Sequence, residues 1–100
     1  MIAEVSLTPI GSGTRVTDAV AKAVRIIRAS GLRSQLNPMG TVIEGGWDEV
    51  LAVVRRCHDA LLEDHERLSI LIKIDARRGP QVPMEHKVEA VEERLRDPGL

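Results

Sequence analysis

NPMGTVIEGGWDEVL, residues 37–51, decides the fold. Pro38 fixes its own φ and pushes Asn37 toward an extended backbone. Gly40, placed just after, is expected to supply a positive φ that other residues resist. Thr41, Val42 and Ile43 are all β-branched, which suits a strand. Gly45-Gly46 ends that strand. Trp47-Asp48-Glu49 then starts a helix, with acids in the first turn where the macrodipole favours them. The stretch therefore reads as strand, tight turn, strand, sharp break, helix. Its three glycines lie near two strand ends, where backbone donors and acceptors are expected to be accessible.

Moving outward, a helix is expected over Trp47–His65, because Val50, Leu51, Val54, Cys57, His58, Leu61 and Leu62 recur at three- and four-residue steps. Trp47 lies on the same stripe and is expected to pack at the helix start. Upstream, Leu32–Pro38 forms a short strand that pairs with Thr41–Glu44 across the Pro38–Gly40 turn. Before it, Arg15–Ser30 reads as a helix with Val16, Ala19, Val20, Ala23 and Ile27 on one stripe, and Val24 and Ile26 beside it. Gly31 is placed for a left-handed C-cap. Ile2–Thr8 alternates: Ala3, Val5 and Leu7 share one face, and Ile2, Glu4, Ser6 and Thr8 the other. Leu68–Ala76 is another strand, with Leu68, Ile70, Ile72, Ile74 and Ala76 on one side and Ser69, Leu71, Lys73 and Asp75 on the other. A last helix follows Pro83, with Met84, Val88, Val91 and Leu95 as a narrow apolar stripe. A narrow stripe at a chain end suggests packing outside the main core, with a neighbouring subunit as the candidate partner.

Strand–helix–strand–strand–helix–strand is the split βαβ order. It predicts an α+β, ferredoxin-like βαββαβ sandwich with an antiparallel four-stranded sheet. Strands one and three are central, two helices cover one face, and a C-terminal helix is added. Residues 1–100 suit one domain.

Composition narrows the function. There is one Trp and no Phe or Tyr, so the core is aliphatic. Sheets that bind single-stranded nucleic acid stack bases on aromatics, and this sheet has none to offer. A net charge of −1 gives no footprint for a phosphate backbone. Nucleic acid is therefore not expected as a partner. The lone Cys57 excludes a disulfide within the chain and fits a reducing compartment. No apolar run is long enough to span a bilayer and no signal-peptide pattern opens the sequence, so no membrane partner and a cytoplasmic location are expected.

With both helices on one side, the open sheet face carries Glu4, Ser6 and Thr8, then Leu71, Lys73 and Asp75. The third strand adds Val42 with Glu44, or Thr41 with Ile43; polarity favours the first pair. The face is half apolar, as ligand or subunit interfaces are. Hydroxyls, carboxylates and an ammonium on rigid strands suit a polar heterocycle, and the carboxylates favour a cationic one. An intersubunit salt bridge such as Glu4 with Lys73 accounts for the same residues equally well. The loop PIGSGT, residues 9–14, fits a helix start capped by Thr14 or Thr17 better than an anion site. Cys57 and His58 point about 100° apart on a helix, and no spacing matches a metal motif. Neither a metal, a cofactor nor a catalytic arrangement is expected, so the chain is not expected to be an enzyme.

PMGTVIEGGWDEVLAVVRRCHDALL, residues 38–62, resembles the signature of the small thiamine-binding proteins with the YkoF-like fold. IKIDARRG, residues 72–79, is similar to their fourth-strand signature, and PIGSGT to their first loop. The similarity spans residues 2–96. It implies a ferredoxin-like subunit with an added C-terminal helix. It also implies non-catalytic binding of thiamine or its hydroxymethylpyrimidine portion. The implied assembly is a homotetramer, a dimer of dimers whose sheets pair and whose open faces meet. A tandem member of this class carries two such domains in one chain; here oligomerisation supplies the second. The implied pocket neighbourhood is Ser12, Gly13 and Thr14 in the first loop, Met39, Gly40, Thr41 and Glu44 in the hairpin, and Lys73 and Asp75 on the fourth strand. The rival expectation is a regulatory or structural oligomer that binds a different small metabolite.

Overall fold

The computed structural model describes residues 1–11, 13 and 16–100. The elements run β1 (Ile2–Pro9), α1 (Thr17–Ala29), β2 (Arg33–Asn37), β3 (Gly40–Glu44), α2 (Trp47–Asp64), β4 (Leu68–Asp75) and α3 (Met84–Leu95). The four strands form one antiparallel sheet in the order β2-β3-β1-β4. This is the α+β, ferredoxin-like layout with β1 and β3 central and a helix added at the C-terminal end.

The alternation in β1 sets the layers. Ala3, Val5 and Leu7 are buried among Ala19, Ala23 and Ile27 of α1 and Val50, Val53, Val54, Cys57 and Leu61 of α2. Ile43 of β3 is fully buried with them, and Thr41 is 5% exposed, so these two face the helices. Val42 and Glu44 face the open side. Cys57 packs as a small core residue with its Sγ 3.5 Å from the Ala23 carbonyl oxygen. Burial pushes its thiol up to about 11. Lys22 ties the helices together by donating to the Ala60 carbonyl at 3.0 Å and to Asp64 at 2.8 Å.

Four local expectations need correction. Trp47 is 56% exposed, because the inward direction of α2 belongs to Val50 and Val53, a turn further on. Gly40 does not have a positive φ. Its lack of a side chain serves close packing, since a Cβ there would lie 3.1 Å from Glu4 Cγ and 3.2 Å from the Val5 carbonyl oxygen. Thr17 is the first residue of α1 and not its cap; Val16 holds the cap position with no side-chain cap bond. Thr14, the other expected cap, lies outside the described residues. Ile72 is 38% exposed, because β4 is an edge strand that the helices cover only in part. Gly31 does take the left-handed conformation, at φ +81°, directly after α1.

α3 stands apart. Its first residue, Met84, is buried, whereas Val88, Val91 and Leu95 are 60%, 58% and 64% exposed. The helix leaves the body after its first turn, and the molecule extends over 50 × 30 × 19 Å with a radius of gyration of 15.6 Å. A compact chain of this length has a radius of about 13 Å.

Candidate functional site

Strand length creates the best-defined cavity. β1 runs to Pro9 and pairs with β4 along its whole length. Its ladder with β3 stops at Val5↔Thr41, because the hairpin turns at Pro38-Met39. Ser6, Leu7 and Thr8 therefore continue without β3 beside them and line a gap. The gap opens on the helix side of the sheet. It is a cavity of about 240 Å³, walled by Val16, Val20 and Val24 of α1 and its approach, by Leu36, and by the hairpin residues Met39, Gly40 and Thr41. Thr41 is the buried polar residue among those described and places a hydroxyl in this wall. No carboxylate lines it. The residues 9–15 join two of the lining positions, Thr8 and Val16. Of this loop, Gly13 is exposed with φ +72°. Ser12 and Thr14 lie outside the described residues.

The remaining site candidates lie elsewhere. Glu44, Lys73 and Asp75 are on the opposite, open face, near Ile2: the register pairs Ile2 with Glu44 and Asp75, and Glu4 with Lys73 and Val42. A second hollow of about 450 Å³ lies there, between Glu4, Val42, Lys73, Asp75 and Lys87 of α3. The structure thus separates Met39, Gly40 and Thr41 from Glu44, Lys73 and Asp75.

The first turn of α3 occupies the Ile2 end of the open face. Glu44 accepts a hydrogen bond from the Met84 N–H at 2.7 Å, and from Arg33 at 2.9 Å. Arg33 also pairs with Glu85, and Lys87 pairs with Asp75. Two of the open-face carboxylates are therefore already engaged within the chain, which leaves Glu4 as the remaining open-face acid that a cationic ligand could meet. Glu4 and Lys73 face each other on one rung, with no ion pair within 4 Å among the described residues. The Lys87 ammonium bonded to Asp75 holds its carboxyl below the ordinary value of 3.8. Glu85 is held below 4.5 by its own backbone N–H and by Arg33. Groups with lowered values contribute stability above their unfolded pKa and lose it as pH falls through the folded one. Lys87→Met is therefore expected to lower the melting temperature at pH 6, and this difference is expected to vanish as pH drops well below 3.8. Melts of both proteins across pH 2–7 check it; a difference that persists in acid contradicts the pairing.

The sequence model of the thiamine-binding protein family matches residues 3–92. The chain belongs to this thiamine-binding protein family. It is 45% identical to a UPF0045 protein of Mycobacterium bovis over 94 residues, covering 93% of this chain and 92% of that one. In structure it is similar to the protein MJ1052 of Methanocaldococcus jannaschii, with a TM-score of 0.85 and 37% identity over 92% of this chain and 95% of the other. The fold is also shared with a candidate thiamine biosynthesis/salvage protein of Thermotoga maritima, at a TM-score of 0.81 and 21% identity, covering 90% and 96% of the two chains.

Within this family member, sequence reading missed Val16, Val20 and Leu36 as cavity walls. Val20 sits on the apolar stripe of α1 and was assigned to the core. Leu36 pairs with Thr41, so it faces the helix side from the outermost strand, where it is 50% exposed. The register was the missing signal, since it alone shows that β1 outruns β3. Among the described residues, no group of His, Cys, Asp and Glu is arranged to hold a metal ion, and no helix is long and apolar enough to cross a membrane.

Proposed function

We propose that this protein is a non-catalytic cytoplasmic binding protein for thiamine or its hydroxymethylpyrimidine portion, working as a homotetramer. The observation that carries the ligand site is the cavity beside the stretch of β1 that runs on past β3, lined by Met39, Gly40 and Thr41. Family membership supports the ligand class. At about 240 Å³ the cavity is smaller than the roughly 300–1,000 Å³ typical of drug-sized ligands. It suits one substituted ring, so the pyrimidine portion enters and any second ring stays outside. A pyrimidine edge alternates donors and acceptors, as an extended backbone does. In this reading the main-chain groups on the β3 side of Ser6, Leu7 and Thr8 and the Thr41 hydroxyl read that edge, while Val20, Val24 and Leu36 contact its faces. The first-loop candidates Ser12, Gly13 and Thr14, which follow Thr8 and precede Val16 in the sequence, are assigned to the same site in this reading. Glu44, Lys73 and Asp75 belong to the open face, where in this reading another subunit closes over the second hollow. That closure accounts for the exposed stripe of α3.

Titration with thiamine and with hydroxymethylpyrimidine by calorimetry tests the reading. Saturable heat from either is expected, with Thr41→Val weakening binding about five- to ten-fold by the loss of one hydrogen bond of roughly 1 kcal/mol. Absence of heat at millimolar ligand overturns it. The second reading, a regulatory or structural oligomer for another metabolite, gains from the same cavity being walled mainly by aliphatic residues with no thiamine-specific charge. Thermal stabilisation by an amino acid or a nucleotide, with none by thiamine, selects it.

A further inference from the structure

A shallower groove of about 560 Å³ runs along the outer side of α1 and shares Val16, Val20, Val24 and Leu36 with the cavity. Arg25 and Arg28 also line this groove, and no acidic residue among those described does. Neither arginine has an ion-pair or hydrogen-bond partner among the described residues, whereas Arg33 and Arg55 are paired. Helix geometry places Arg25 and Arg28 about 1.5 and 6 Å along the axis beyond Val24, which lines both spaces. Side chains on a helix lean toward its N-terminus, and from Arg25 and Arg28 that direction leads to Val20 and Val16, which line both spaces. The arrangement is a small ring-sized space beside an apolar groove that shares four of its wall residues and is also lined by two arginines with no partner among the described residues.

We infer that the ligand is a phosphate ester: the ring fills the inner cavity and Arg25 and Arg28 hold the phosphate in the groove. This rests on the ring-binding reading above and specifies its ligand. Guanidinium forks match phosphate oxygens in pairs, and charge-assisted bonds of this kind are stronger than neutral ones. A phosphate at that place is therefore favoured over an uncharged hydroxyl.

The test is calorimetry at low salt with hydroxymethylpyrimidine, its phosphate ester and inorganic phosphate, each on the wild type and on Arg25→Gln/Arg28→Gln. Both arginines are exposed, so the double variant keeps the fold. The ester is expected to bind about ten-fold or more tightly than the free alcohol, with the preference shrinking as added salt screens these exposed charges. In the double variant the two should bind alike, at the wild-type affinity for the free alcohol. Equal affinities in the wild type, or a preference that survives the double substitution, overturn the inference and leave the ring site standing. Inorganic phosphate binding as tightly as the ester overturns it too, because the ring then adds nothing. Failure of both ring compounds to bind removes the ring site and this inference together.

Discussion

Ending the chain after Pro83 is expected to lower the melting temperature and to shift the protein to a smaller species in solution. Val88, Val91 and Leu95 are each more than half exposed on one side of α3. Fully burying such a side chain gains roughly 1.5–3 kcal/mol, so covering the exposed half of each gives about 3 kcal/mol per copy. A symmetric contact engages two copies, for about 6 kcal/mol, or roughly four orders of magnitude in association. The truncation also removes the Met84 N–H bond to Glu44, the Arg33–Glu85 pair and the Lys87–Asp75 pair. Sedimentation and thermal melts of the two proteins check the expectation. Val88→Asp with Leu95→Asp separates the effects, since it leaves the first turn docked and charges only the free stripe. Unchanged size in both variants contradicts an assembly role for α3.

Ile43→Ala is expected to cost about 2–5 kcal/mol, as is usual for emptying a well-packed aliphatic site. Ile43 is fully buried between the sheet and both helices. A chain of 100 residues has about 5–15 kcal/mol of stability in all, so this one change removes a large share. Val42→Ala, one residue away on the open face, is expected to cost less than about 1 kcal/mol for the monomer. Urea unfolding of both variants measures the difference. Equal costs would show that the open face is as tightly covered as the core, and the assembly would then have to supply that cover.

Much of the molecule was legible in the chain. The period-two alternation of Ile2–Thr8 assigns type and inward face from local chemistry alone. The three- and four-residue steps of α2 assign its type and Val50, Val54, Cys57 and Leu61 as inward, whereas the expected Leu62 is 39% exposed and the buried Val53 lay outside the expected stripe. Polarity chose Val42 and Glu44 over Thr41 and Ile43 for the open side, and the burial of Ile43 agrees. Trp47 shows the limit. Its place on the α2 stripe predicted packing, but a helix period says nothing about whether another layer reaches as far as the first turn. Gly40 shows another. A glycine after proline suggested a backbone conformation, whereas the contact that excludes a side chain comes from Glu4 and Val5, on a different strand.

The sequence by itself determined the kinds of element, their order, most of their buried faces and the family, because each depends on residues near one another along the chain. Tertiary structure decided where those elements end against each other. β1 outruns the hairpin, which opens the cavity. The first turn of α3 engages Glu44 and Asp75, which removes them as free charges. Arg25 and Arg28 line the groove beside the cavity. All three outcomes depend on register and docking between segments far apart in sequence, and no local pattern encodes that distance.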